Sequence, residues 1–337
     1  MAKRILLEDI AREVGVTKGL VSRALAGKYN VSEEMRSRIV KKAAELGYDN
    51  SNLRSRPAPI SRVLLVISSR ILLKEDYWQP IIKSVTYVLD LNSIILEYFV
   101  YDENKINDQL LNKLSCTDCG AFIVIHSNPK IINEELKRTK KPIIEVDPKS
   151  FHSDGVTQVK FSNYDSIYLA TQDLIEKGHR IIAFYGSDMH ATSFRERHEG
   201  FLASIEAHKD LGVEGVSINF DNSNLDYADD ELLVKTLQNK KITALICAND
   251  IIALGAYKTI KSLGLSIPDD ISVIGFDNIK DGEYVVPRLS TFDVPRERLG
   301  REVGNYLIGV FSDRQLQYSQ IVVRCIYIPK DSVKKLN

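Results

Sequence analysis

Four cysteines in 337 residues, Cys116, Cys119, Cys247 and Cys325, are too few and too scattered for a disulfide framework. Cys116 and Cys119 have the spacing of half a zinc site or a redox pair, but no second pair or histidine cluster lies near them in sequence. The plainer reading is two small, half-buried residues before a strand. No run approaches the roughly 18 apolar residues of a membrane span, and Ile5-Leu6-Leu7 is cut short by Glu8 and Asp9, so neither a membrane segment nor a signal peptide is expected. A cytoplasmic protein is the expectation. Excess charge is also lacking: 45 basic residues balance 45 acidic ones, which taken whole argues against a nucleic-acid or membrane-surface protein. With 44% apolar residues, 18 Gly and 10 Pro, disordered and collagen-like chains are excluded. Catalytic signatures are missing as well, for the chain has no GxGxxG, no P-loop and no GxSxG. His198-Glu199 opens like a zinc-protease helix, but Leu202 stands where the second histidine would be. Asp221, Ser223 and Asp226 loosely resemble a calcium loop without its turn glycine. The chemistry left is binding, with no catalytic residue, metal or cofactor expected.

The length allows two or three compact units at about 150 residues each, and the neutral total conceals a segregation. Residues 1–57 hold 12 Lys/Arg against 7 Asp/Glu, a net of +5, and the remainder carries −5. A basic head on an acidic body suggests a nucleic-acid module joined to something else. Residues 1–47 read as three short helices. The first runs from about Leu7 to Val14 and stops at Gly15; Thr17 caps the second, whose buried stripe is Leu20, Val21, Ala24 and Leu25; Ser32 caps the third, which ends at Gly47. Only Gly15 and Val16 separate the first two, the spacing of a helix-turn-helix whose second helix enters a major groove.

Residues 50–61 are polar, basic and proline-bearing, and read as a linker. Beyond them β-rich runs alternate with amphipathic helices: Val63–Ile67, a helix over 78–91, Ile94–Val100, a helix over 106–114, Ala121–Ile125 and Ile143–Val146. The alternation resumes with a helix over 166–177, Ile181–Tyr185, a helix over 193–207, Val216–Phe220, a helix over 229–238, Ala244–Ala248, a helix over 251–262 and Ser272–Phe276. Such alternation means parallel βαβ units, here in two successive doubly wound lobes with a ligand cleft expected between them.

The chain resembles a known family in several places. In the head the residues are Asp9-Ile10-Ala11, Gly15-Val16-Thr17, Val21-Ser22-Arg23-Ala24-Leu25, Val31-Ser32-Glu33-Glu34 and Glu45-Leu46-Gly47-Tyr48. In the body they include Gly178-His179-Arg180-Ile181, Arg197-His198-Glu199-Gly200-Phe201, residues 249–255, residues 268–277 and Pro287-Arg288-Leu289-Ser290-Thr291. These motifs, in order over nearly the whole chain, are similar to those of the lactose-repressor (LacI/GalR) family of bacterial transcription regulators. The resemblance implies an α/β protein with an N-terminal helix-turn-helix headpiece and a two-lobed core like a periplasmic sugar-binding protein, built of doubly wound parallel sheets. The expected parts are a headpiece at 1–49, a hinge at 50–61, a first lobe at 62–161 and 291–320, and a second at 162–290 and 321–330. Crossings between the lobes are expected near Phe161–Asn163, Ser290–Asp293 and Tyr318–Val323, with Gln320–Ile328 returning to the second lobe as a strand.

The family reads bases with the positions held here by Lys18, Gly19 and Arg23. Arg and Lys donate to guanine O6 and N7, whereas Gly19 offers no side chain and would act through shape or close backbone approach. A solvated surface charge is the competing reading for Lys18. Thr17, Ser22, Asn30 and Tyr48 suit phosphate positioning. In the hinge the family carries a leucine that wedges into the minor groove. Aligned from Gly47-Tyr48, those positions hold Arg54, Ser55, Arg56 and Pro57, so the wedge is absent and Pro57 would end a helix before it. Arg54 and Arg56 are expected to reach phosphates or a narrow minor groove without intercalating.

In the core, Arg197 and Asp277 fall where the family holds effector hydroxyls, Asn249 adds a neutral donor and acceptor at a strand end, and Phe220 matches an aromatic platform. Ser193 joins them from the second lobe, and Ser69, Trp78, His126 and Asp147 from the first. For Phe220 and Trp78 a plain core role competes; for His126, a satisfied strand-end histidine. The resulting expectation is a repressor of a carbohydrate-utilisation operon that binds palindromic double-stranded operator DNA as a homodimer. A sugar or sugar phosphate in the core cleft would control it. The chain ends without a leucine-heptad tail, which favours a dimer over a tetramer. The rivals are a transporter's solute-binding protein and a family regulator controlled by a partner protein.

Overall fold

The computed structural model describes residues 5–25, 31–48, 62–72, 75–126, 129–148, 155–186, 192–219, 231–313 and 319–336. The chain divides into two compact units, Met1–Ile60 and Ser61–Asn337.

In the first unit the described helices are α1 (Leu7–Val14), α2 (Lys18–Leu25) and α3 (Glu33–Glu45). Gly15 closes α1 in the left-handed conformation at φ 74°, its N–H donating to the Ala11 carbonyl. A side chain there would be strained, which is why glycine makes this turn. The caps fall where the sequence places them: Leu20 N–H donates to Thr17 Oγ1 at 3.2 Å, and Met35 N–H to Ser32 Oγ at 3.3 Å. Ile10, Ala11, Val21, Ala24, Ile39 and Ala43 form the core of the bundle. Burying Val21 and Ala24 turns Thr17, Lys18, Gly19 and Arg23 to the exposed side of α2.

The second unit opens with β1 (Arg62–Ser68), α4 (Ser69–Leu72), α5 (Glu75–Asp90), β2 (Ile95–Tyr101), α6 (Asp108–Cys116), β3 (Phe122–Ile125), α7 (Lys130–Arg138), β4 (Ile143–Val146) and β5 (Thr157–Phe161). It continues through α8 (Asn163–Glu176), β6 (Ile181–Gly186), α9 (Thr192–Ala207), β7 (Glu214–Asn219), α10 (Glu231–Asn239), β8 (Ala244–Cys247), α11 (Asp250–Ser262) and β9 (Ser272–Ile274). The last elements are β10 (Thr291–Asp293), α12 (Arg296–Asp313), β11 (Gln320–Val323) and β12 (Ile326–Ile328). Among the described residues the strands form a parallel sheet in the order β11-β5-β4-β3-β1-β2, a second parallel sheet in the order β7-β6-β8-β9, and a ribbon of β10 with β12. The apolar runs of β1, β3 and β4 are buried almost throughout, as strands covered on both faces must be.

Two boundaries differ from expectation. Gln320–Val323 does not return to the second lobe: it pairs in parallel with β5, Ile321 opposite Val159 and Val323 opposite Phe161, and forms an edge of the first sheet. Nor is Gln320–Ile328 one strand. After Arg324 and Cys325 the chain continues as β12, antiparallel to β10, so the last crossing lies at 324–328 instead of 318–323. Beyond it the tail does reach the second lobe, where Val273 N–H donates to the Ser332 carbonyl at 2.8 Å and Lys334 N–H to Ser272 Oγ at 3.1 Å. Alternating side chains specify a strand but not the edge it joins, and here the backbone pairing with β5, which leaves Val323 buried, decides it.

Helices α7 and α12 add to the elements legible in the sequence. α12 packs along α5, and its glycines permit the approach: a Cβ on Gly300 would lie 2.3 Å from the Ile81 carbonyl oxygen, and one on Gly304 2.6 Å from Val88 Cβ. In the described residues no helix is long and apolar enough to cross a membrane.

Candidate functional site

The residues of the interlobe cleft sit at the carboxyl ends of strands and on the helices that follow. His126 follows β3, Asp147 follows β4 and Asp277 lies past β9, each with positive φ (63°, 48° and 110°). Non-glycine residues seldom adopt this conformation, and here it turns three polar side chains off the sheet ends.

Arg197, on α9, is the centre of the second-lobe wall and only 2% exposed. Its guanidinium carbon stands 3.7 Å from the Phe276 ring centroid and 5.4 Å from that of Phe194. Nε donates to Asn163 Oδ1 at 3.0 Å and one terminal nitrogen to the Ala248 carbonyl at 2.6 Å. The other lies 3.8 Å from Asp277 Oδ1, an ion-pair separation too long for a hydrogen bond. Asn163 Nδ2 in turn donates to Glu196 Oε2 at 3.0 Å, and Glu196 pairs with Lys160. The planar cation is thus held by directed bonds on two sides and stacking on its face.

Asp277 is held by its main chain. Its N–H donates to the Phe292 carbonyl at 3.0 Å, and its carbonyl accepts from Arg296 at 2.7 Å. Burial pushes its carboxyl up to about 7 against the pull of Arg197; Asp250 and Asp147 push it further up, and Arg296 opposes them. Among the described residues, Asp277 Oδ1 and Arg296 Nε are both buried without a hydrogen-bond partner. A buried acceptor and a buried donor of this kind are costly unless each finds a partner.

On the first-lobe side, Tyr77 and Trp78 meet edge to face at 4.7 Å, Trp78 lies 5.9 Å from the His126 ring, and Arg296 stands 4.9 Å over Tyr77. Burial raises the Asp147 carboxyl, opposed by His126 and by Arg197 from the other lobe. Tyr77 is held well above its ordinary value by burial and by Asp147 and Asp277. The charges of the two walls therefore act on one another across the cleft.

Of the residues singled out from the sequence, the structure brings Trp78 beside His126 and Arg197 beside Asp277, with Asp147 near enough to His126 and Arg197 to feel their charges. Trp78 is 4% exposed and packed in the core, which fits the plain core role. Asn249 uses Oδ1 to cap α11, accepting from Ile252 N–H at 2.9 Å. Ser193 is buried in the first turn of α9, whereas Ser69 is exposed at the start of α4. Phe220, Asn30, Arg54 and Arg56 lie outside the described residues. The sequence reading missed Tyr77, Asn163, Glu196, Asp250 and Arg296. Asp250 is fully buried, accepting from Thr291 Oγ1 at 2.6 Å and from Ile279 N–H at 2.9 Å, so it clamps the loop that carries Asp277. Gly275 is part of that clamp: a Cβ there would stand 2.1 Å from Asp250 Oδ1. The adjacency of Asn249-Asp250 was the available signal. A separate groove of about 720 Å³ lies between α8 and the β11–β12 segment, lined by Tyr168, Leu169, Phe292, Val322 and Arg324 and by none of the cleft residues above.

In the head, Thr17, Lys18, Gly19 and Arg23 are exposed on α2, while Ser22 and Tyr48 are half-buried. Lys18 Nζ donates to Glu8 Oε1 at 2.7 Å.

A helix-turn-helix unit on one chain with a two-lobed α/β binding core defines a ligand-responsive DNA-binding regulator. Residues 6–51 match the family described as bacterial regulatory proteins, lacI family, and residues 171–333 match the periplasmic binding protein-like domain; together they take in well over half of the chain. The chain belongs to the lacI family of bacterial transcription regulators and is not an enzyme. It is 27% identical over 343 residues to the HTH-type transcriptional repressor PurR of Vibrio campbellii, covering 98% of this chain and 99% of that one. Among solved structures, the transcriptional regulator CelR–cellobiose complex is similar with a TM-score of 0.68 and 23% identity, covering 98% of this chain and 100% of the other. The lac repressor dimer bound to operator and the anti-inducer ONPF aligns with a TM-score of 0.65 and 18% identity over 98% and 100% of the two chains.

Proposed function

We propose that the protein is a cytoplasmic homodimeric repressor of a carbohydrate-utilisation operon, binding a palindromic operator through two headpieces and responding to a sugar held between the core lobes. The observation that carries the effector reading is the buried pair of unsatisfied groups, Asp277 Oδ1 and Arg296 Nε, beside the stacked Arg197. A hydroxyl both gives and accepts a hydrogen bond, so a neutral polyol satisfies both groups without bringing a charge into a buried site. Arg197 is already engaged by Asn163, Ala248 and Asp277, which leaves little cationic capacity for a sugar phosphate.

Lys18 and Arg23 are assigned to base contacts, Gly19 to close approach, and Thr17, Ser22, Asn30 and Tyr48 to phosphates. Arg54 and Arg56 reach the backbone of a duplex that lacks the leucine kink. Exposed apolar residues support the dimer: Tyr87 and Leu91 at the end of α5, Ile95, Tyr98 and Val100 on the edge strand β2, and Ile251, Tyr284 and Val286 on the second lobe. The lobe limits proposed for the dimer's core are 62–161 with 291–323, and 162–290 with the tail beyond 328.

A thermal-shift screen of neutral sugars and sugar phosphates tests the effector. A true ligand stabilises by RT ln(1 + [L]/Kd), about 2.7 kcal/mol at one hundred times Kd. Asp277→Ala and Arg197→Lys should abolish the shift while the core still unfolds cooperatively. A shift retained in both variants would sink this placement of the site, and operator binding that needed a protein partner and ignored every sugar would favour the partner-controlled version.

A further inference from the structure

We infer that Glu8, on α1, reads DNA together with Lys18, the two forming one acceptor and donor unit that recognises a G·C pair in each half-site. This rests on the assignment of α2 to the major groove. The Gly15 turn brings the first turn of α1 beside the start of α2, so residues ten apart in sequence meet at 2.7 Å, and both side chains remain open to solvent at 59% and 61%. Neither is consumed by the protein interior. Contact with Glu8 holds the Lys18 ammonium above its ordinary pKa, so it stays cationic.

A carboxylate carried toward DNA is repelled by phosphates and accepts hydrogen bonds only, so it is tolerated where the groove supplies a donor. The major-groove donors are cytosine N4 and adenine N6, while lysine prefers the paired acceptors O6 and N7 of guanine. A G·C pair sets those two acceptors directly beside the cytosine amino group, matching an ammonium beside a carboxylate. An A·T pair puts its amino group between N7 and O4 and breaks up the two-acceptor site. The helix surface next to Lys18 is open as well: a Cβ built on Gly19 would have nothing within 4 Å beyond its chain neighbours.

Selection of the full-length chain on a randomised duplex library, followed by titration of the selected duplex and its single-position variants, tests this. The wild type should select G·C at one position of each half-site. Glu8→Ala should cut discrimination at that position by about fivefold or more, leave the other positions intact and strengthen binding to unrelated duplexes. Lys18→Ala should flatten the same position. Glu8→Gln, which keeps the shape and an acceptor, should retain part of the preference and guards against a folding defect in the alanine variant. If both Glu8 variants change affinity for all duplexes alike and leave the profile unaltered, Glu8 merely neutralises Lys18 and the inference fails while the role of α2 stands. A wild type that selects no motif would overturn both.

Discussion

Asp277 concentrates the conflict between folding and binding at a single residue. Its left-handed backbone and its carboxyl, pushed up to about 7 by burial, are both unfavourable for an isolated fold. An unfolded aspartate titrates near about 3.9, so between about pH 4 and 7 the native state binds more protons than the unfolded chain. For this group stability is fullest below about pH 4 and is lost as pH rises through about 7. Asp277→Asn should therefore gain on the order of 3 kcal/mol over wild type above pH 7, with the gap closing toward pH 4; urea titrations at pH 4.5 and 8 measure it. Effector affinity should show the opposite trend. A hydroxyl that donates to the ionised carboxylate binds more tightly as pH rises from 6 to 8, and calorimetry of the Asn variant should lose that dependence.

Among the elements, α12 shows how packing and sequence pattern can part company. Its glycines at 300, 304 and 309 weaken the helical signature, yet two of them exist because α5 lies against the backbone. Gly300→Ala places a methyl against the Ile81 carbonyl and Gly304→Ala one against Val88, so each should cost about 1–3 kcal/mol. Gly309 has nothing within 4 Å, and Gly309→Ala should instead stabilise by about 0.5–1 kcal/mol. Thermal unfolding of the three variants separates close approach from helix propensity. A uniform gain would show that α12 does not pack on α5 as described. The headpiece helices were legible because each local signal agreed: Gly15 stops α1, Thr17 and Ser32 cap the next two, and the apolar positions recur at helical spacing.

For the whole molecule, a +5 head beside a −5 remainder makes operator binding an electrostatic matter of the head. Log affinity should fall linearly with log salt, and removing one phosphate-contacting lysine or arginine should reduce the slope by about 1. Binding isotherms between 50 and 200 mM salt measure this. Base-reading variants should lower affinity for the selected duplex much more than for random DNA. The hinge bears on the same scale: with Arg54, Arg56 and Pro57 where the family has its leucine wedge, a bending assay should find no sharp central kink.

The sequence by itself determined the helix-turn-helix, the alternation of strands and helices, the family, and the residue types at the cleft, since each depends on local periodicity, caps or contiguous motifs. Tertiary structure alone decided that Gln320–Val323 completes the first sheet, that Asp250 clamps the Asp277 loop, and that Arg296 reaches both the Tyr77 ring and the Asp277 carbonyl. The physical reason is that strand order, burial and mutual desolvation are properties of residues far apart in the chain. Asp147 and Asp277 can be named from their motifs, but the state of each carboxyl is set by its burial and by charges that the fold brings near it from far along the chain, Arg197 among them.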